Sequence, residues 1–129
     1  MKTTSPARTQ PESVADGAVV TKAVTRAAAR LGVPNRSIAR ILGVSEATVS
    51  RMGTGAYLLK PDDKAFELAL MFLRLFRSLD TLSGGDEQTS RAWLRNENLA
   101  LGGTPLSLVE SLAGMIHVLG YLDARRARV

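Results

Sequence analysis

The chain has 129 residues, no cysteine and a single histidine, and it carries a net charge of +5 at pH 7. A chain of this length can bury one core or two small helical lobes that share an interface, which argues against a multidomain enzyme. The lack of cysteine excludes disulfides, thiolate metal sites and cysteine nucleophiles and suits a reducing cytoplasm, so we expect a cytoplasmic protein without metal or cofactor.

The first segment, residues 1–13, has no apolar run behind its basic residues, so we expect a disordered arm and neither a signal peptide nor a membrane anchor. A stretch rich in alanine and valine follows from Asp16 to Leu31, and Gly32 and Pro34 end the predicted first helix. A basic residue recurs at every fourth position of this helix, at Lys22, Arg26 and Arg30. Such a basic face is either solvated or a source of contacts to phosphate.

Residues 35–52, NRSIARILGVSEATVSRM, have the spacing of a helix-turn-helix. One apolar stripe on the first short helix is formed by Ile38, Ala39 and Leu42. Gly43 stands where this helix must stop in a left-handed conformation, and Val44 follows with an apolar side chain expected to be buried. Ser45 supplies an N-cap for the second helix, from which Val49 and Met52 face the core. The outer face of that second helix is the surface that a DNA major groove would meet.

Contacts to DNA are expected from the outward residues of this motif. They are Arg36, Arg40, Ser45, Glu46, Thr48, Ser50 and Arg51. The charge distribution supports this assignment, because residues 1–60 carry a net charge of +6 and residues 61–129 a net charge of −1. The same motif can also serve as a dimerisation scaffold, so DNA binding is one of two hypotheses for it.

A long helix is predicted from Pro61 to about Leu79, because a proline and two acidic residues open a run of apolar residues at helical spacing. Two of its sides are apolar, one that contains Leu70 and one that contains Phe72, which leaves a narrow strip for water. We expect one side to face the core and the other a partner. The alternative is a central helix that its own chain surrounds on both sides.

Three more helices are predicted in the remaining chain. Asp86 opens a helix that runs toward Asn96. Thr104 precedes a short segment that ends at Glu110, and Ser111 caps a last helix. No segment alternates as a strand would, so the predicted fold class is all-α.

The segment WLRNENLALGGTPLSLVESLAG, residues 93–114, resembles the toxin-binding domain of Xre/MbcA/ParS-type antitoxins. A tryptophan and a leucine that end one helix, a paired-glycine loop and a proline-led short helix before the C-terminal helix occur here in that family's order. The resemblance extends over roughly residues 20–129, since the family also carries an Xre-like helix-turn-helix ahead of this domain. It implies a helix-turn-helix lobe joined by a long central helix to a C-terminal helical toxin-binding domain.

The partners of this family are usually RES-domain toxins, which consume NAD. The resemblance therefore implies an antitoxin of a type II toxin-antitoxin system that occludes the active site of such a toxin. It also implies a homodimer that forms a hetero-oligomer with the toxin and represses its own operon by binding operator DNA.

The family places its last helix and chain end at the toxin. The matching positions here are Gly114, Val118, Tyr121 and Leu122. To these we add Arg125, Arg126 and Arg128, because arginines can pair with a catalytic carboxylate, although cations also suit the end of a helix. Structural roles are an alternative for Trp93 as a core residue and for Gly114 as a close-packing position.

The expected organisation is a disordered arm at residues 1–13, a helix-turn-helix DNA-binding domain at 14–60 and a helical toxin-binding and dimerisation domain at 61–129. The alternative function is a stand-alone helix-turn-helix transcriptional repressor without a toxin partner. An enzyme is not expected, because nothing in the sequence assembles a nucleophile, a base and an oxyanion site.

Overall fold

The computed structural model of the protein describes residues 11–127. This part of the chain folds into seven α-helices, namely α1 (Pro11–Leu31), α2 (Asn35–Leu42), α3 (Glu46–Thr54), α4 (Lys64–Leu82), α5 (Glu87–Arg95), α6 (Pro105–Leu108) and α7 (Leu112–Ala127). Within it, Asn98 and Gly103 form one isolated β-bridge. The all-α fold class predicted from the sequence is confirmed.

Helix α1 begins at Pro11, earlier than the predicted start at Asp16. The last three residues of the predicted arm therefore belong to this helix, and residues 1–10 lie outside the described part of the chain. Gly17 does not break the helix. It makes room for the loop after α3, because a Cβ at this position would lie 2.2 Å from the carbonyl oxygen of Leu59.

The helix-turn-helix is formed by α2, the turn at Gly43 and α3. Gly43 adopts the left-handed conformation, with φ 73° and ψ 35°, as its place in the sequence predicts. The N–H groups of Gly43 and Val44 both donate to the carbonyl oxygen of Ala39, at 2.8 and 3.0 Å. Val44 is half-buried and not fully enclosed, whereas Val49 and Met52 of α3 are buried.

Helix α4 lies at the centre of the molecule and packs against α1, α2, α5 and α7. It begins at Lys64, after Asp63 at the N-cap, and not at Pro61. The N–H of Asp63 donates to the carbonyl of Lys60 at 2.9 Å, so residues 60–63 form a turn and the helix begins only after it. Phe72 lies in the core, whereas Leu70 is 45% exposed. None of the helices in residues 11–127 has the length and apolar composition needed to cross a membrane.

Two arginines of α5 join the C-terminal helices to the end of α1. The Arg91 guanidinium donates to the carbonyls of Ala29 and Arg30, at 3.2 and 2.8 Å. The Arg95 guanidinium donates to the carbonyl of Leu31 at 3.1 Å and also to that of Gly32. The last carbonyls of a helix have no partner within it, and α5 donates to those of Arg30 and Leu31 and also to Ala29, which accepts the Gly32 N–H as well.

Candidate nucleic-acid and protein interfaces

The outer face of α3 carries a chain of side-chain hydrogen bonds. The Ser45 hydroxyl caps the helix by accepting the N–H of Thr48 at 3.0 Å, and it also donates to the Thr48 hydroxyl at 3.0 Å. The Arg51 guanidinium donates to that same hydroxyl at 3.3 Å. These three side chains follow each other at three-residue spacing, so they lie on one line along the helix.

The other predicted DNA contacts on α3 are Glu46 and Ser50, and both are exposed. Ser50 also lines a groove of about 320 Å³ between α1 and α3, opposite Thr25 and Ala28 of α1. The line of Ser45, Thr48 and Arg51 is not part of that groove, so α3 presents two distinct polar edges.

The two arginines predicted on α2 are placed differently. Arg36 is exposed beside the start of the helix. The Arg40 guanidinium donates to the Glu110 carboxylate at 3.2 Å, although 64% of its side chain stays accessible. Glu110 belongs to the loop between α6 and α7, so Arg40 forms an ion pair with the C-terminal half and is less available to DNA than Arg36 is.

The basic residues of α1 do not form one continuous face toward α3. Lys22 is exposed, whereas Arg30 pairs with Glu87 at 2.8 Å and lies over the Phe76 ring at 5.2 Å. Arg26 lines a second groove, of about 210 Å³, between α1 and α4. Only part of this basic stripe is therefore free to contact a phosphate near α3.

The predicted toxin contacts on α7 divide into buried and accessible residues. Val118 and Leu122 are both 0% exposed and belong to the core. They hold α7 in place, and their side chains are not available to a partner in this conformation. Gly114 is half-buried and allows α7 to approach α6, since a Cβ there would lie 1.8 Å from the carbonyl oxygen of Leu108.

Tyr121 is also mainly structural, because its ring stacks on Trp93 with the centroids 6.4 Å apart. Arg125 and Arg126 are exposed at the end of α7. Arg125 lies over the Tyr121 ring at 5.9 Å, and Arg126 pairs with Asp123 at 3.1 Å. The remaining predicted contact, Arg128, lies outside the described residues.

Three exposed apolar side chains of the C-terminal half were not singled out by the sequence analysis. They are Leu99 (93% exposed), Leu112 (53%) and Ile116 (56%). Leu112 and Ile116 stand one turn apart on α7. Their spacing was visible in the sequence, but α7 has apolar residues on most of its circumference, and only packing shows which of them remain outside.

Leu99 stands at the tip of a tightly bonded loop. The carbonyl of Asn98 accepts the N–H groups of Leu101, Gly102 and Gly103 within 3.3 Å, and the N–H of Asn98 donates to Gly103 at 2.9 Å. Nε2 of His117 lies 3.3 Å from the Leu101 carbonyl, which sets the loop beside α7. Leu99 is therefore an exposed apolar side chain on a loop whose backbone is fixed by hydrogen bonds.

In residues 11–127, no group of three or more His, Asp or Glu side chains is placed to hold a metal ion. Two surfaces of this part of the chain are candidates for binding. One is the polar outer face of α3, and the other is the apolar surface of Leu99, Leu112 and Ile116, which we call the C-terminal apolar surface.

Comparison with protein families gives two matches that together span almost the whole chain. The antitoxin Xre-like helix-turn-helix domain matches residues 10–74, which contain α1 to α3 and the first part of α4. The antitoxin Xre/MbcA/ParS C-terminal toxin-binding domain matches residues 78–128, which contain α5 to α7. No curated protein matches the chain.

Proposed function

Since the chain belongs to the antitoxins that join an Xre-like helix-turn-helix domain to an Xre/MbcA/ParS toxin-binding domain, we propose that it neutralises a RES-type, NAD-consuming toxin and represses its own operon. It would do so in the cytoplasm, as a homodimer that forms a hetero-oligomer with the toxin, and by binding and not by catalysis. A stand-alone repressor is the weaker alternative, because it gives the toxin-binding half no use.

The observation that carries the toxin-binding part of this proposal is the C-terminal apolar surface. Leu99, Leu112 and Ile116 all lie within the toxin-binding domain, and the core leaves each of them more than half exposed. Leu112 and Ile116 stand one turn apart on α7, and neighbouring exposed apolar side chains are a feature of protein interaction sites. Arg125 and Arg126 lie further along the same helix and offer cations to a carboxylate of the toxin.

The first test replaces Leu112 and Ile116 together with glutamate. Both side chains already contact solvent, so the chain still folds, while two charges at the centre of an interface weaken toxin binding by several kcal/mol. Co-expression with the toxin of the neighbouring gene should then fail to restore growth and cellular NAD, and the purified variant should no longer capture the toxin.

The matched control adds the same two charges at Thr81 and Gln88, which are exposed and outside the C-terminal apolar surface. This control should neutralise the toxin as the unaltered chain does. Full neutralisation by the Leu112→Glu, Ile116→Glu variant would refute the proposed surface. A neighbouring toxin that leaves NAD intact in a purified reaction would refute the RES assignment but not the antitoxin function.

A further inference from the structure

The neighbouring helices α1 and α4 expose a second apolar face, which is separate from the C-terminal apolar surface. Val19 is 67% exposed and Leu70 is 45% exposed, and Ala23, Phe66 and Leu73 beside them are half-buried. We call these five residues the α1–α4 face. The groove of about 210 Å³ between Ala23 and Leu73 continues it toward the C-terminal ends of both helices.

The two helices of this face run in the same direction. Gly17, near the start of α1, approaches Leu59 and Pro61 just before α4, and Arg30 near the end of α1 lies over Phe76 of α4. Residues early in α1 therefore lie beside residues early in α4. This register gives the face two distinct ends.

Charge differs between these ends. Asp16 and Glu67 lie at the early end of the face, whereas Arg26 and Arg77 line the groove toward its late end. Asp16, Arg26 and Arg77 form no ion pair in the described part of the chain, and the ion pair of Glu67 there is with Lys64, at 3.6 Å with both side chains largely exposed. The neighbouring Arg30 and Arg74 are already paired, with Glu87 and Asp123.

We propose that a second copy of this chain covers the α1–α4 face, with a two-fold axis through the face that sets the acidic end of each copy on the basic end of the other. An isologous contact needs a surface that complements itself, and a face with apolar residues between opposite charges meets this requirement. A parallel arrangement would instead oppose like charges. This inference rests on the homodimer of the proposed function and gives that homodimer a defined interface.

This arrangement leaves the other two surfaces free. The outer face of α3 borders α1 through Thr25 and Ala28, on a different side of α1 from Ala23 and Arg26. The C-terminal apolar surface belongs to the loop at Leu99 and to α7. One chain can therefore contact its second copy, DNA and toxin at the same time.

The test measures the mass of the full chain in solution, without toxin or DNA, by analytical ultracentrifugation. Leu70→Glu places a charge at the centre of the face and should weaken the dimer about 30-fold or more, the effect of losing a central contact residue. Leu99→Glu adds the same charge to the C-terminal apolar surface and should leave the dimer intact. Circular dichroism confirms that both variants are folded.

A charge exchange then tests the two-fold arrangement. One variant carries Arg26→Glu with Arg77→Glu, and the other carries Asp16→Lys with Glu67→Lys. Each alone has two ends of like charge and should be monomeric, whereas an equimolar mixture should form a heterodimer visible by native mass spectrometry. A monomeric unaltered chain, a Leu70→Glu dimer or a mixture without heterodimer would overturn the inference.

Toxin capture by the Leu70→Glu variant keeps this result separate from the antitoxin function. Capture that persists while the dimer is lost supports both assignments. If the unaltered chain is itself monomeric and Leu70→Glu abolishes toxin capture, the α1–α4 face binds the toxin and the dimer is overturned. A Leu112→Glu, Ile116→Glu variant that still captures the toxin would refute the C-terminal apolar surface and would leave the dimer unaffected.

Discussion

Single glycines decide how closely segments of this chain approach each other. Gly114 of α7 lies against the carbonyl of Leu108, and Gly17 of α1 lies against the carbonyl of Leu59. Neither has a positive φ, so it is space and not backbone conformation that requires glycine at these positions. The structural alternative for Gly114 in the sequence analysis is therefore realised, and any contact with a toxin would be additional to it.

Gly114→Ala is expected to destabilise the protein by about 1–3 kcal/mol, because the new methyl group would overlap a backbone oxygen that cannot easily move. Gly120→Ala in the same helix is the matched control, since nothing lies within 4 Å of its Cβ position. That change should stabilise the protein by about 0.5–1 kcal/mol through helix propensity. Urea denaturation measures both, and equal effects would contradict the close contact.

Asp86 shows the effect of a helix cap on a carboxyl group. Its carboxylate accepts the Thr89 hydroxyl at 2.7 Å and the Gln88 N–H at 3.1 Å. The Thr89 hydrogen bond is the main cause that lowers the pKa of Asp86 below its ordinary value of 3.8. Because the folded pKa is lowered, the stabilisation is complete above the pKa of the unfolded chain and is lost as pH falls through the lowered value.

Thr89→Val should therefore raise the pKa of Asp86 toward its ordinary value, and the capping contribution should be lost at a higher pH. An NMR titration of the Asp86 side chain measures this directly. Thr81→Val is the control, because the Thr81 hydroxyl donates to the Arg77 carbonyl and not to a carboxylate. If Thr89→Val leaves the pKa of Asp86 unchanged, the Thr89 hydroxyl does not stabilise the charged carboxylate.

Among the elements, α3 is the one whose chemistry follows most directly from local sequence. Its N-cap at Ser45, its inward Val49 and Met52 and its outward Arg51 all lie where the spacing predicts. Caps and helical periodicity depend on residues three or four positions apart, so they can be predicted without knowledge of the fold. The ion pair of Arg40 could not be predicted in this way, because its partner Glu110 is seventy positions away.

If α3 reads DNA, Arg51→Ala should cost about 1–3 kcal/mol for the operator and relax sequence preference at one position, since arginine pairs with the edge of a base. Arg36→Ala is the comparison. A contact to phosphate carries no sequence information, so its loss should weaken operator and random DNA alike. Gel-shift titrations on both DNAs at two salt concentrations measure this, and identical losses for the two variants would refute the assignment of Arg51.

The whole molecule is held together across its two matched domains. Arg91 and Arg95 bind the end of α1, Arg40 pairs with Glu110, and Arg74 pairs with Asp123. Helix α4 also packs on both α1 and α7. The helix-turn-helix and the toxin-binding helices therefore share one core and are not two lobes on a flexible linker.

Unfolding in urea is therefore expected to be a single transition. Trp93 is the only tryptophan in the chain and lies in the C-terminal half, so its fluorescence reports that half, while circular dichroism reports all helices. The two curves should coincide. Arg91→Met with Arg95→Met should shift both curves together to lower urea, and curves that separate in the unaltered chain would show that the domains unfold independently.

Local sequence determined the order of the helices but not the starts of α1 and α4. It also determined the turn at Gly43, the cap at Ser45 and, through motif order, the antitoxin family, because each depends on neighbouring residues. Tertiary structure decided which apolar residues are buried. Val118 and Leu122 were expected at a toxin but lie in the core, whereas Leu70, Leu112 and Ile116 remain outside. A helix with apolar residues on most of its circumference does not specify its inner side, and only the helices packed against it do.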